Sequence, residues 1–121
     1  MKMKFLAAAV AAMALSLTGC LEVTDSCSVS TVNNQNVYLN AEIDDYTVDG
    51  VYGIDYYGAY GTLTYTYPTT SDAASACADA YRMYSNVVCD AFSVTITLDF
   101  PYAYTINDLR AEANAQCDVL L

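Results

Sequence analysis

The side chains that could do chemistry here are carboxylates, tyrosines and cysteines. Histidine is absent from all 121 residues. Asp44, Asp45, Asp49 and Asp55 crowd one stretch. Within it, Asp45-Tyr46-Thr47-Val48-Asp49-Gly50 puts oxygen-bearing side chains at alternate positions and then a glycine, as the opening of a calcium loop does. Tyr56 stands where such a loop closes with a bidentate glutamate, so only local chemistry is in view: Asp45, Asp49 and Asp55 as oxygen donors to one hard cation. The plainer reading is a hairpin turn at Asp49-Gly50 with solvated carboxylates. Tyr46, Tyr52, Tyr56, Tyr57, Tyr60, Tyr65 and Tyr67 fill the same region. Tyrosine combines large contact area with a hydroxyl handle. If the strand is regular, Tyr52, Tyr56 and Tyr60 share one face and form a binding platform; otherwise they are strand formers whose rings pack.

Catalysis finds little support. Nucleophilic triads and Cys–His pairs lack a general base without histidine. Acidic residues are scattered along the whole chain, so no carboxylate pair stands out for glycoside hydrolysis, and tryptophan for sugar stacking is absent. No catalytic residue is assigned, and an enzyme is not expected.

Fourteen Asp and Glu against four Lys and Arg give a net charge of −10 and a pI near 4.1. Beyond Lys4 the only basic residues are Arg82 and Arg110. Such a surface repels phosphate backbones, which argues against nucleic acid, and it favours cations or a basic protein or peptide. Acidity also keeps a tyrosine-rich domain soluble and suits a saline habitat.

At the N-terminus, Lys2 and Lys4 precede an uncharged apolar run over residues 5–17, followed by Leu17-Thr18-Gly19-Cys20. The run is too short to span a bilayer as a helix, which takes roughly 20 residues. The pattern resembles the signal and lipobox of bacterial lipoproteins. The resemblance covers residues 1–20 and implies cleavage after residue 19, fatty acylation of Cys20 and anchoring to the cell envelope. Leu21 rather than Asp after the cysteine implies the outer membrane, by analogy with enteric sorting. The expected organisation is a signal peptide over 1–19, a lipidated tether over 20–27 and one globular domain over 28–121. Cys27, Cys77, Cys89 and Cys117 then remain, an even number in an oxidising compartment, and two disulfides follow. Four cysteines allow three pairings; loop length leans toward Cys77–Cys89 with Cys27–Cys117. A zinc site does not suit them, because histidine and any CxxC spacing are missing.

Period-two alternation predicts strands over 37–43 and over 92–100, with Phe92, Val94, Ile96, Leu98 and Phe100 inward. Further strands are predicted over 28–32, 51–57 and 62–67. Ala73, Cys77, Ala80, Tyr81 and Tyr84 mark a helical face after the N-caps at 69–72. Thr105 and Asp108 resemble a capping box that opens a helix carrying Leu109, Ala113 and Cys117 on one face. The expected fold is α+β: a small antiparallel β-sheet with two helices on one face, disulfide-stabilised. The expected function is an acidic, envelope-anchored binding or structural module. The alternatives are a calcium-dependent adhesive module, or an acidic inhibitor or chaperone of a basic envelope protein.

Overall fold

A computed structural model describes residues 25–121. The expected signal segment 1–19, acylated Cys20 and most of the tether lie outside the described residues. Four strands come first: β1 (Ser26–Val32), β2 (Asn36–Ile43), β3 (Tyr46–Asp55) and β4 (Gly58–Thr66). They are followed by α1 (Thr70–Met83), β5 (Val87–Cys89), β6 (Ser93–Phe100) and α2 (Ile106–Leu120). All pairings are antiparallel, in the order β1-β2-β3-β4-β6-β5. The α+β class and both favoured disulfides, Cys27–Cys117 and Cys77–Cys89, are present. The sheet starts at Ser26, so Cys27 belongs to the domain rather than to the tether.

One face of the sheet is apolar because alternate residues point the same way. Leu39, Gly50, Leu63 and Ile96 are cross-strand neighbours in one row, and Ala41, Val48, Tyr65 and Val94 in the next. α2 lies over β1–β3 and α1 over β5 and β6. α1 packs through Ala73, Ala76 and Ala80, small residues that let it sit close; α2 uses Leu109, Ala113, Cys117 and Leu120. Tyr52 and Tyr65 are the largest fully buried side chains on this face. Gln116 Nε2 donates to Tyr65 Oη at 3.3 Å, and the Tyr52 ring stacks on Phe100 with centroids 5.8 Å apart. Tyr81 and Phe92, expected inward, are exposed: Tyr81 lies off the alanine stripe and Phe92 precedes the first ladder residue of β6.

The predicted hairpin at Asp49-Gly50 is corrected. β3 runs straight through both residues, Asp49 pairing with Asn40 and Thr64, and Gly50 with Leu39 and Leu63. Gly50 is there for room: a Cβ would come within 2.8 Å of Leu63 and 3.2 Å of Leu39. The reversals fall elsewhere. Asn33 and Asn34 both take positive φ between β1 and β2, which asparagine tolerates. Asp44-Asp45 joins β2 to β3, and Tyr56-Tyr57 joins β3 to β4. Gly58, at φ +128, is the turn glycine.

Candidate functional site

Both ends of the sheet are built from turns, and they differ in chemistry. At one end lie the Asn33–Gln35 turn, the Tyr56-Tyr57 turn and the loop 101–105 that leads from β6 into α2. The register brings them together: Asn36 pairs with Gly53, and Phe100 with Ala59. Tyr56 is 95% exposed, Tyr57 92%, Tyr104 79% and Tyr102 63%. The Tyr56 and Tyr57 rings meet edge to face, centroids 5.4 Å apart. Exposed Ile54 and Tyr104, with Asn34, Asn36 and Ile106, line a concavity of about 500 Å³.

Carboxylates hold this tyrosine tip in shape. Asp55 Oδ1 accepts from the N–H groups of Tyr57 (2.8 Å) and Gly58 (3.1 Å). Asp108 Oδ2 accepts from those of Tyr104 (2.8 Å) and Thr105 (3.0 Å), and Thr105 Oγ1 accepts from Asp108 N. That capping box starts α2, and the bonds from Tyr104 and Thr105 hold the Asp108 carboxyl below the ordinary range. Glu112 beside the Tyr102 hydroxyl pushes that phenol up. Arg110 reaches across to Thr31 Oγ1 at 2.9 Å. With these groups engaged in structure, the tip presents mainly tyrosine rings, amides and one isoleucine.

The opposite end is acidic. Glu42, Asp44, Asp45, Tyr46, Tyr67 and Pro68 help line a concavity of about 410 Å³. Asp25, where the described chain begins, accepts from Asp44 N at 3.1 Å. Burial first, then Asp44 and Asp72, push the Asp45 carboxyl up. Tyr46 is 3% exposed and stacks obliquely on Tyr67 at 5.3 Å, and its Oη is buried without a hydrogen-bond partner among the described residues. Burial and the nearby Asp25 push that phenol well up.

The residues expected to form sites are therefore dispersed. Tyr52 is buried under the helices, Tyr56 tips a turn, and Tyr60 lies half-buried on the open face opposite Gly53. They do not form one platform, because a two-residue turn at Tyr56-Tyr57 puts even-numbered residues of β4 on the face that carries odd-numbered residues of β3. Asp45, Asp49 and Asp55 do not converge either. Asp45 directly precedes β3 and Asp55 is the last of its ten residues, so they lie about 30 Å apart at roughly 3.3 Å per residue. Asp49 accepts from Asn40 Nδ2 in mid-sheet. Among the described residues no group of three or more His, Cys, Asp and Glu is placed to hold a metal ion. Exposed Tyr102 and Tyr104 lie outside the tyrosine-rich stretch singled out from the sequence, and Tyr57 lies within it but outside the expected platform. Their signal was local: Tyr102 and Tyr104 alternate with buried Ala103 in the short link between a strand and a capping box, so both rings turn away from the core.

No protein-family model, curated protein or solved structure matches the chain. Fold alone does not define function, so the chemistry of these two ends has to.

Proposed function

We propose that this chain is an envelope-anchored binding module that engages a partner protein through its tyrosine tip, with no catalytic role. The observation that carries the reading is the concentration of Tyr56, Tyr57, Tyr102 and Tyr104 on turns at one end of the sheet, all largely exposed. Four exposed rings in adjacent turns exceed what solubility or strand propensity calls for. Tyrosine with asparagine on rigidly held loops is the composition of recognition surfaces: large contact area, few side-chain torsions to freeze and adaptable hydrogen bonding. The loops are pre-organised by Asp55 and Asp108, which lowers the ordering cost of binding. The anchoring half of the proposal rests on the lipobox pattern at 17–20. β1 starts at Asp25's end of the sheet and finishes at the tip, so an acyl anchor on Cys20 would direct the tip away from the membrane.

The test is differential capture from envelope extract. Wild type is compared with a variant carrying Tyr→Ser at 56, 57, 102 and 104, and with one carrying Thr→Ala at 62, 64 and 97 on the open face. A partner held by wild type and the threonine variant but weakened at least about tenfold by the tyrosine variant is expected, since each interface ring contributes on the order of 1 kcal/mol or more. Equal capture by all three proteins removes the tip as the contact surface.

A further inference from the structure

We infer that β1 is a self-association edge: two copies of this chain pair β1 against β1, antiparallel and centred on Ser28, and join their sheets into one. The two edges of the sheet are unequal. β5 is three residues long, and beyond it β6 carries Asp99. A short strand and a charge are two of the devices that keep a sheet edge from pairing. β1 has neither. It runs seven residues, Ser26–Val32, without a proline or a charge in a chain of fourteen Asp and Glu, and no bulge interrupts its register with β2. α2 lies above β1–β3, and no described strand pairs with the N–H and C=O groups that alternate residues of β1 turn outward.

Any extended backbone satisfies such groups, so the side chains beside them select the occupant. Arg110 supplies the independent observation. Its Nε and Nη2 both donate to Thr31 Oγ1, at 3.1 and 2.9 Å, and it forms no ion pair among the described residues. α2 thus holds a cation over the edge strand. A strand added to β1 lies about 4.8 Å away, and its residue opposite Thr31 points to the same face with Cβ about 5 Å off. In the register centred on Ser28, that residue is the partner's Asp25. Asp25 is exposed, and its Oδ1 accepts from Asp44 N at 3.1 Å, which leaves Oδ2 for the guanidinium. The two-fold axis repeats the ion pair, so both copies make it. The other pairs match as well. On the open face Ser30 meets the partner's Ser26 and Ser28 meets its own copy, while half-buried Val29 meets the partner's Cys27 on the helix face. Repulsion between two acidic copies is screened beyond about 8 Å at physiological salt. Antiparallel pairing sends the two Asp25 ends in opposite directions, so it joins copies that approach from opposite sides. The inference does not rest on the tyrosine tip.

Sedimentation equilibrium of the purified, oxidised protein over a concentration series at physiological ionic strength is the experiment. A reversible monomer–dimer equilibrium is expected, because the pairing closes on itself. Ser28→Lys sets like charges opposite one another across the axis and should abolish the dimer, with Tm unchanged because Ser28 is exposed. Arg110→Asp and Asp25→Arg should each weaken the dimer at least about tenfold, since each brings like charges face to face at both ends, and the double variant should return to within about threefold of wild type. Val88→Lys, on the opposite edge strand, should leave the dimer unchanged. A wild type that stays monomeric at every concentration would overturn the proposal. So would a dimer that survives Ser28→Lys, one that the charge-swapped double variant fails to restore, or one lost equally in Val88→Lys.

Discussion

Replacing Gly61 with alanine tests the packing that supports the tyrosine tip. Gly61 pairs with Tyr52 on β3 and with Leu98 on β6, on the helix-covered face. A Cβ there would lie 2.8 Å from Cδ2 and Cε2 of the Tyr52 ring and 3.0 Å from Cε2 of Phe100. Both rings are buried and stacked on one another, so neither can swing aside as a lysine or leucine tip would. Overpacking of this kind costs about 1–3 kcal/mol. Alanine recovers part of that, about 0.5–1 kcal/mol, by stiffening the unfolded chain. A net loss of about 1–2 kcal/mol is expected, which for a domain of this size lowers Tm by roughly 4–15 °C. Thermal unfolding of the oxidised protein measures it. The decisive form is a double-mutant cycle with Tyr52→Leu, in which the smaller side chain makes room for the new methyl. The double variant should then be more stable than additivity predicts by about 1 kcal/mol. Additive losses, or a rise in Tm for Gly61→Ala alone, would refute a close approach of Tyr52 to this backbone.

Other consequences follow from the bonds already described. The Cys27–Cys117 bridge spans 90 residues and Cys77–Cys89 spans 12. In the chain-entropy view, removing the first pair with Ser costs about 4–5 kcal/mol and the second about 3 kcal/mol, an order that denaturant unfolding can check. Asp108 and Asp45 should act in opposite directions on the pH profile of Tm. Hydrogen bonds from Tyr104 and Thr105 depress the folded-state pKa of Asp108. Its contribution is therefore present above the ordinary carboxylate value, about 4, and lost as pH falls through the lower folded value. Burial and the neighbouring Asp44 and Asp72 raise that of Asp45. Its charge therefore destabilises the fold at neutral pH, and protonation relieves this on acidification. Asp108→Asn should lower Tm at pH 7 and Asp45→Asn should raise it. Both differences should fade as the medium is acidified below the carboxylate range; same-sign effects at pH 7 would contradict these assignments.

The two ends of the sheet differ in chemistry. The tip offers mostly neutral, pre-organised rings, while the other end gathers carboxylates with no ion-pair partner among the described residues. A basic partner steered by the overall charge would be expected to lose association rate as salt rises. The tip, whose carboxylates are engaged with backbone N–H groups, should be less sensitive to salt.

Much of the fold is written in local pattern. Alternation over 37–43 and 92–100, the Thr69 cap and the Thr105–Asp108 box each depend only on residues a few positions apart, and each appears as an element, with Phe92 alone falling outside its strand. Four cysteines with one short and one long separation likewise narrowed the pairing. The site did not yield to the same reading, because faces and ends are properties of register. Asp49-Gly50 favours a turn as a dipeptide, but tertiary packing overrides that preference: Leu39, Leu63 and Tyr52 need the space that Gly50 leaves. Once the reversal moves to Tyr56-Tyr57, parity changes across it and Tyr52 parts from Tyr60. β5, three residues long, is too short to show a period at all. Tyr57 and Tyr102, far apart in the chain, become neighbours of one surface only because β4 lies between β3 and β6. Local sequence thus specified which elements form, and cross-strand packing decided which side chains they turn toward one another.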